Sequence, residues 1–103
     1  MSREAQLVVF HRPGPKWRKG ASLFDQDGVR EHVGHYRSML EAGKLFLGGP
    51  FLDDEGGGMM IAAKGVDRAE LEAFAARDPA VTSGLLIVEI RPWLIGMTAE
   101  GRD

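Results

Sequence analysis

Cysteine is absent from this sequence of 103 residues. Its absence excludes a disulfide framework, a thiol nucleophile and a zinc site with cysteine ligands. An excess of positive charge is also absent, because 13 Lys and Arg residues stand against 15 Asp and Glu residues. A nucleic-acid-binding domain usually concentrates Lys and Arg, so we expect no nucleic-acid partner. Histidines, carboxylates, serines and a single tyrosine remain as reactive groups.

Long apolar runs are missing as well. The longest have four or five residues, as at residues 7–10, whereas a membrane-spanning helix needs about 20. The first ten residues contain no apolar segment of the length found in secretory signals. We therefore expect no membrane partner and a cytoplasmic location.

The length and composition fit one globular domain. Hydrophobic residues make up 44% of the chain and charged residues 27%, which is ordinary for a folded domain. Two domains would each be too small to bury an adequate core. We predict a single domain over residues 1–103, with a core at about 5–94 and a tail at 95–103.

Six elements are predicted in the order β-α-β-β-α-β. Asp27 is a plausible N-cap of the first helix, and the spacing from Asp67 to Glu70 predicts a capping box for the second. The Asp78-Pro79 pair should end that second helix. This order is the ferredoxin-like α+β arrangement, a four-stranded antiparallel sheet with two helices on one face. The predicted elements are strands at 6–11, 44–48, 59–64 and 85–91, and helices at 27–42 and from 67 to the Asp-Pro pair.

The predicted strands are apolar on both faces. In the last strand, Leu85 and Ile87 point one way, while Leu86, Val88 and Ile90 point the other. Two helices cover only one face, so the second face needs another cover. We predict a homodimer through the open sheet face, which makes a dimeric α/β barrel. The alternative is a monomer whose tail folds over the sheet.

Two histidines lie on the first predicted helix. His32 and His35 are three residues apart and share one side of it. One interpretation is a metal pair completed by His11 or a carboxylate, but no recognised ligand spacing supports it, so we predict no metal. A second interpretation is acid–base work by one histidine while its neighbour binds a ligand. A purely structural histidine is the third.

Asp78 is predicted at the carboxyl end of a helix, where the helix dipole disfavours negative charge. One explanation is that aspartate favours turns before proline. The other is that a nearby group, such as a histidine, needs a carboxylate partner. A His–Asp pair is suited to proton transfer near neutral pH. The predicted fold permits His32 to meet Asp78, because both helices lie on one face.

The loop at residues 12–24 contains a tryptophan surrounded by cations. Such a loop could neutralise an anionic ligand, or it could simply be solvated. Stacking on single-stranded nucleic acid is the least favoured interpretation, because the chain has a net charge of −2. The residues in question are Trp17 with Arg12, Lys16, Arg18 and Lys19.

Short motifs are spread over most of the chain, from about residue 7 to residue 94. They are Arg12-Pro-Gly-Pro-Lys-Trp17, Gln26, His32, Tyr36-Arg-Ser-Met-Leu40, Gly43-Lys-Leu45, Gly48-Gly-Pro-Phe51, Asp53, Gly57-Gly-Gly-Met59, Asp78-Pro79, Gly84-Leu85 and Ile90-Arg-Pro-Trp93. Their order and spacing resemble the YCII-related (YciI-like) family of small dimeric α/β-barrel proteins. The resemblance implies the fold derived above and an active-site pair at His32 and Asp78. Catalytic relatives act on small ring compounds, including elimination of HCl from a chlorinated hydroxyquinol, and the wider superfamily includes muconolactone isomerase.

Together these observations favour a cofactor-independent lyase or isomerase that acts on a small anionic cyclic or carbonyl compound. His32 would move the proton, and Asp78 would orient His32. His35, Trp17 and Arg12 are the predicted substrate contacts. The alternatives are a non-catalytic small-molecule binding or regulatory dimeric module and, by analogy with related barrels, haem or oxygen chemistry.

Overall fold

The computed structural model describes residues 5–99 and confirms the ferredoxin-like arrangement. All strand pairs are antiparallel, and the strand order is β2-β3-β1-β4. The first strand is therefore central and pairs with both β3 and β4. The elements are β1 (Ala5–Pro13), a 3-10 helix (Leu23–Asp25), α1 (Val29–Glu41), β2 (Leu45–Pro50), β3 (Gly58–Ala62), α2 (Arg68–Ala76), α3 (Pro79–Thr82) and β4 (Leu86–Leu94).

The two long helices begin in different ways. The Asp67 side chain accepts a hydrogen bond from the Glu70 backbone N–H, as the capping-box spacing predicts. The predicted N-cap of α1 is wrong, because Gly28 rather than Asp27 occupies that position. Gly28 has a φ of 97°, a left-handed conformation that glycine adopts without steric cost, and no side chain caps this end.

A short additional helix, α3, follows α2. Asp78 follows the carboxyl end of α2, as the sequence predicts, because α2 ends at Ala76 and its C-cap is Arg77. The sequence does not predict that Asp78 is also the N-cap of α3. Its side chain accepts a hydrogen bond from the Ala80 backbone N–H. An aspartate N-cap followed by proline at the first position favours helix initiation. The negative charge of Asp78 therefore lies where a helix dipole favours it.

The last strand runs further than the sequence predicts. Pro92 and Trp93 belong to β4 and pair with Leu7 and Gln6. Proline is tolerated there because β4 is an edge strand. Residues 95–99 form neither helix nor strand, and positions 100–103 of the predicted tail lie outside the described residues. No helix within residues 5–99 is long and apolar enough to cross a membrane.

The main core lies between the sheet and the helices α1 and α2. A second small cluster joins Ala80, Leu85 and Leu86, with Trp17 packed against it. Burial of apolar side chains on the inner side of α1 fixes how this helix is rotated about its axis over β1. That rotation also turns the polar groups of His32 and Tyr36, both on α1, toward the sheet. The buried members of the main core are Val9, Tyr36, Met39, Ala62 and Leu71.

Candidate active site

Four polar side chains meet where β1, α1 and the start of α3 come together. His11 lies on β1, two residues beyond the core residue Val9, and so it faces the helices. His32 and Tyr36 lie one turn apart on α1, which places them on the same side of that helix. Asp78 completes the group from the first residue before α3.

The shortest contact in this group joins His32 to Asp78. The Nδ1 atom of His32 lies 2.6 Å from Oδ2 of Asp78. Asp78 is fully buried, while the His32 side chain is 11% exposed. The other carboxylate oxygen accepts the Ala80 N–H at 2.9 Å. With Nδ1 donating to Asp78, the remaining ring nitrogen of His32, Nε2, is left for a ligand.

The surroundings of Asp78 favour its charged form. Burial by itself raises the pKa of this carboxyl. The hydrogen bonds from His32 and Ala80, together with the charges of His32 and His11, outweigh burial and lower the pKa below its usual range. Asp78 therefore stays ionised and accepts the hydrogen bond from His32 as a carboxylate.

His11 and Tyr36 form a neutral pair beside this carboxylate. The Nε2 atom of His11 lies 3.3 Å from the Tyr36 hydroxyl and 3.8 Å from Oδ2 of Asp78. Burial, and then the nearby charge of His32, lower the pKa of His11 to about 4. Burial, and then the Asp78 charge, raise the pKa of the Tyr36 phenol. At neutral pH both groups are uncharged and act only through hydrogen bonds.

A cavity of about 660 Å³ opens between α1 and the strands β2 and β3. His11, His32 and Tyr36 line its inner wall, and most other lining side chains are apolar. Two arginines, Arg30 and Arg37, are the charged residues among those that line it. The volume is in the range that holds small organic ligands, and the mixture of apolar walls with few polar groups is typical of such sites.

A family model described as the YCII-related domain matches residues 16–94. The chain belongs to the YCII-related family. The resemblance predicted from the short motifs is thereby confirmed. No curated protein matches the chain in sequence.

Among solved structures, this YCII-related chain is similar to 5-chloro-2-hydroxyhydroquinone dehydrochlorinase from Burkholderia phenoliruptrix, in complex with 2,5-dihydroxybenzoquinone. The TM-score is 0.61, the sequence identity is 22%, and the match covers 84% of this chain and 92% of that one. At this identity the similarity establishes the shared fold.

Of the five residues predicted for the site, His32 and Asp78 come together. The three predicted substrate contacts do not join them at the cavity of this YCII-related domain. His35 faces α2, where its Nε2 lies 2.6 Å from the Phe74 carbonyl oxygen and its ring stacks on the Phe74 ring. Its predicted contact with substrate stays a prediction that this cavity does not support.

Trp17 and Arg12 also lie away from the cavity. Trp17 packs against the small cluster beneath α3. Arg12 lines a separate cavity of about 410 Å³, where Glu89 and Arg91 are also present. The reason is the path of the chain, since β1 continues to Pro13 and carries Arg12 to the sheet face opposite the helices. Substrate contact by these two residues likewise stays a prediction.

Sequence reasoning did not place His11 or Tyr36 at the dyad, nor the two arginines at the cavity. Alternation along β1 carries the signal for His11, because Leu7, Val9 and His11 share a strand face. The two arginines could have been grouped from helical spacing, since Arg30 and Arg37 are seven residues apart and fall on one side of α1.

His11, His32 and Asp78 also offer three ligand atoms within 4.8 Å of one another. Zinc ligands stand about 2.0–2.2 Å from the ion, so two ligands of a tetrahedral site lie about 3.4 Å apart. The 2.6 Å separation of His32 Nδ1 and Asp78 Oδ2 is instead a hydrogen-bond distance. In this arrangement the two atoms cannot both bind one tetrahedral ion.

Proposed function

We propose that this YCII-related protein is a cofactor-independent lyase or isomerase that moves a proton on a small anionic cyclic or carbonyl compound. The contact of 2.6 Å between His32 and Asp78 carries the proposal, because it pairs a histidine that lines a ligand-sized cavity with a carboxylate held behind it. This is the arrangement that general acid–base catalysis requires.

His32 acts as the base in this proposal. Its Nδ1–H donates to Asp78, so the lone pair on Nε2 accepts a proton from a carbon next to a carbonyl or enol of the substrate. The electron pair of the broken C–H bond moves into the ring. In an elimination, that electron pair forms a C=C bond as the neighbouring C–Cl bond breaks and chloride leaves, and His32 then passes its proton to water. In an isomerisation, His32 returns the proton to a different atom of the substrate.

Asp78 holds His32 in the required tautomer and stabilises the imidazolium that forms when Nε2 takes the proton. The neutral state of His11 matters here, because a second positive charge at 4.8 Å between ring centroids would oppose protonation of His32. Tyr36 supports His11 through the hydrogen bond between its hydroxyl and Nε2.

The fold relative supports the class of reaction. That protein is a dehydrochlorinase, and its ligand in the solved complex is a dihydroxybenzoquinone. Elimination of HCl from a ring needs a base and a leaving group, which are the functions assigned here to His32 and to the substrate itself. Compounds with an acidic C–H in a small ring are accordingly the first substrates to test.

The proposal includes a homodimer through the sheet face opposite the helices. Leu47, Ile87 and Trp93 lie on this face and are 44–46% exposed. Apolar side chains exposed together on one sheet face mark an interaction surface. Two such faces packed against each other give the closed barrel predicted from the strand pattern.

The test is a screen of chlorinated hydroquinones, quinones and small lactones, with release of chloride and ring absorbance as readouts. The proposal predicts turnover of at least one compound by the wild type and its loss in His32→Ala. Compounds that bind the cavity with no turnover in the whole panel would favour the non-catalytic binding module instead.

A further inference from the structure

The charge of the cavity wall is opposite in sign to that of the whole chain. The chain has a formal net charge of −2. Yet no Asp or Glu among residues 5–99 lines the cavity that contains His32, and the two lining groups with a permanent charge in that part of the chain are the guanidinium groups of Arg30 and Arg37. The Asp78 carboxylate is fully buried and is not part of the wall. An anion entering the cavity therefore meets positive charge and no exposed carboxylate of the wall.

The two arginines stand on the same stripe of α1 as the apolar lining residues Val33 and Leu40. Seven residues correspond to about two helical turns, or about 10.5 Å along the axis. His32 lies between them in the sequence, two residues after Arg30 and five before Arg37. A ligand in contact with His32 is thus within one or two turns of both guanidinium groups.

The guanidinium groups of Arg30 and Arg37 form no ion pair or hydrogen bond with any side chain or carbonyl within residues 5–99. The ion pairs and side-chain hydrogen bonds found in that part of the chain do not include Arg30 or Arg37. Arg68, in contrast, bonds Glu72 and the Ile90 carbonyl, and Arg18 bonds the Asp25 carbonyl. Within the described part of the chain, these two arginines border an apolar cavity without an ion-pair partner and are available to a ligand.

We infer that Arg30 and Arg37 form an anion-binding rim that makes the cavity select small cyclic or aromatic carboxylates over their neutral analogues. The ring of the ligand lies against the apolar walls near His32, and its carboxylate stays at the mouth. A guanidinium offers parallel N–H donors that match a carboxylate in a bidentate geometry. This inference rests on the proposed function, since it takes the same cavity as the substrate site.

The second cavity does not offer the same selectivity. Arg12 and Arg91 line it, but Asp53, Glu55 and Glu89 line it as well. Those carboxylates balance the two cations and oppose an anionic ligand. Anion selection therefore belongs to the cavity that contains His32, and Arg12 is not the residue that provides it.

The experiment is an NMR titration of the full-length ¹⁵N-labelled chain with two matched probes, 2-hydroxybenzoate and 2-hydroxybenzamide. The inference predicts that the carboxylate binds about tenfold more tightly than the amide. The largest changes in amide chemical shift should occur at the cavity-facing residues of α1 and at Gly48 and Gly49 of β2. Circular dichroism checks that each arginine and lysine variant used in this experiment folds.

Variants separate the arginines from charge in general. Arg30→Gln and Arg37→Gln should each weaken binding of the carboxylate several-fold while leaving the amide unchanged, and the double variant should abolish the preference. Arg37→Lys should retain part of it. Lys64→Gln removes a positive charge from an exposed turn outside both cavities, and it should behave as the wild type.

Equal affinity for the two probes would overturn the inference. So would a preference that persists in the double arginine variant, shift changes centred on Arg12 and Glu89, or no binding of either probe. Turnover by His32→Ala distinguishes failure of the anion-binding inference from failure of the proposed function. If His32→Ala keeps full turnover while the arginine variants lose the preference, the chemistry is wrong and the anion site stands.

Discussion

The imidazole of His32 and the carboxylate of Asp78 meet at 2.6 Å across a sequence separation of 46 residues. One oxygen of Asp78 holds His32, and the other caps α3 through the Ala80 N–H. The same side chain therefore starts a helix and orients the proposed base. Because both oxygens are bonded and the residue is fully buried, the position of the carboxylate is fixed by the fold rather than by the ligand.

Asp78→Asn should reduce turnover by about 10²–10⁴-fold while the protein stays folded. Asparagine is also a good N-cap, so α3 keeps its first hydrogen bond. Its amide NH₂ would face Nδ1 of His32 and force the proton onto Nε2, which removes the base from the cavity. Steady-state kinetics on a substrate found in the screen measure this loss.

The matched control is Asp67→Asn, which changes the N-cap of α2 in the same way. It should leave turnover unchanged, because Asp67 is exposed and does not line the cavity. Turnover at the wild-type rate by Asp78→Asn would show that Asp78 only caps a helix.

His11 should make the stability of the fold depend on pH. Its pKa falls from 6.5 to about 4 on folding, so between these values the unfolded chain binds a proton that the folded chain does not. The free energy of unfolding should therefore decrease as pH falls from 6.5 to about 4, by about 3 kcal/mol from this residue. Urea denaturation at a series of pH values measures it.

His11→Gln keeps a polar group near the Tyr36 hydroxyl and removes the titration. Its unfolding free energy should change less over the same pH range than that of the wild type, because the side chain that takes up a proton on unfolding is absent. Identical pH dependence in the two proteins would mean that His11 is protonated in the folded state as readily as in the unfolded chain.

Gly57→Ala should destabilise the fold by at least about 2 kcal/mol more than Gly20→Ala. Both glycines have positive φ, 77° and 83°, which costs an alanine about 1–2 kcal/mol. A Cβ at Gly57 would in addition clash with the backbone carbonyl of His11, whereas a Cβ at Gly20 has no atom of the described residues within 4 Å beyond its immediate chain neighbours. Chemical denaturation of the two variants gives the difference, and equal losses would contradict the close approach of Gly57 to the His11 backbone of β1.

Ile87→Lys should convert the proposed dimer into a monomer. Ile87 lies on the sheet face opposite the helices and is 46% exposed, so a lysine there places charge in the interface. Light scattering after size exclusion should give twice 11.3 kDa for the wild type and 11.3 kDa for the variant. Leu52→Lys is the control, since Leu52 is 91% exposed in the connection between β2 and β3, and this change should leave the dimer intact. A wild type of 11.3 kDa would contradict the proposed dimer.

The order of elements follows from the sequence because strand and helix periodicities are local. The cap of α2 at Asp67 could be predicted for the same reason, since the Asp–Glu spacing is a contact three residues apart. The cap of α1 could not. Asp27 and Gly28 both suit that end, and the backbone there adopts a left-handed conformation, with a φ of 97°, that favours the glycine.

The site depends more on packing than on local pattern. The resemblance to the YCII-related family implies roles for His32 and Asp78. It does not give the position of the Asp78 carboxylate, which also caps α3 through the Ala80 N–H, and no helix is predicted there from the sequence. Arg30 and Arg37 line the cavity because Tyr36 and Met39 turn inward and fix the rotation of α1. Which stripe of a helix borders a cavity is decided by that rotation, and the spacing of the arginines shows only that they share a stripe.

Chemical rescue of His32→Ala tests the central claim most directly. The variant should lose about 10²–10⁴-fold in turnover, and added imidazole should restore part of the rate in proportion to its concentration, because free imidazole takes the place of the missing base. His32→Ala that turns over at the wild-type rate without imidazole would contradict the role of His32 as the base.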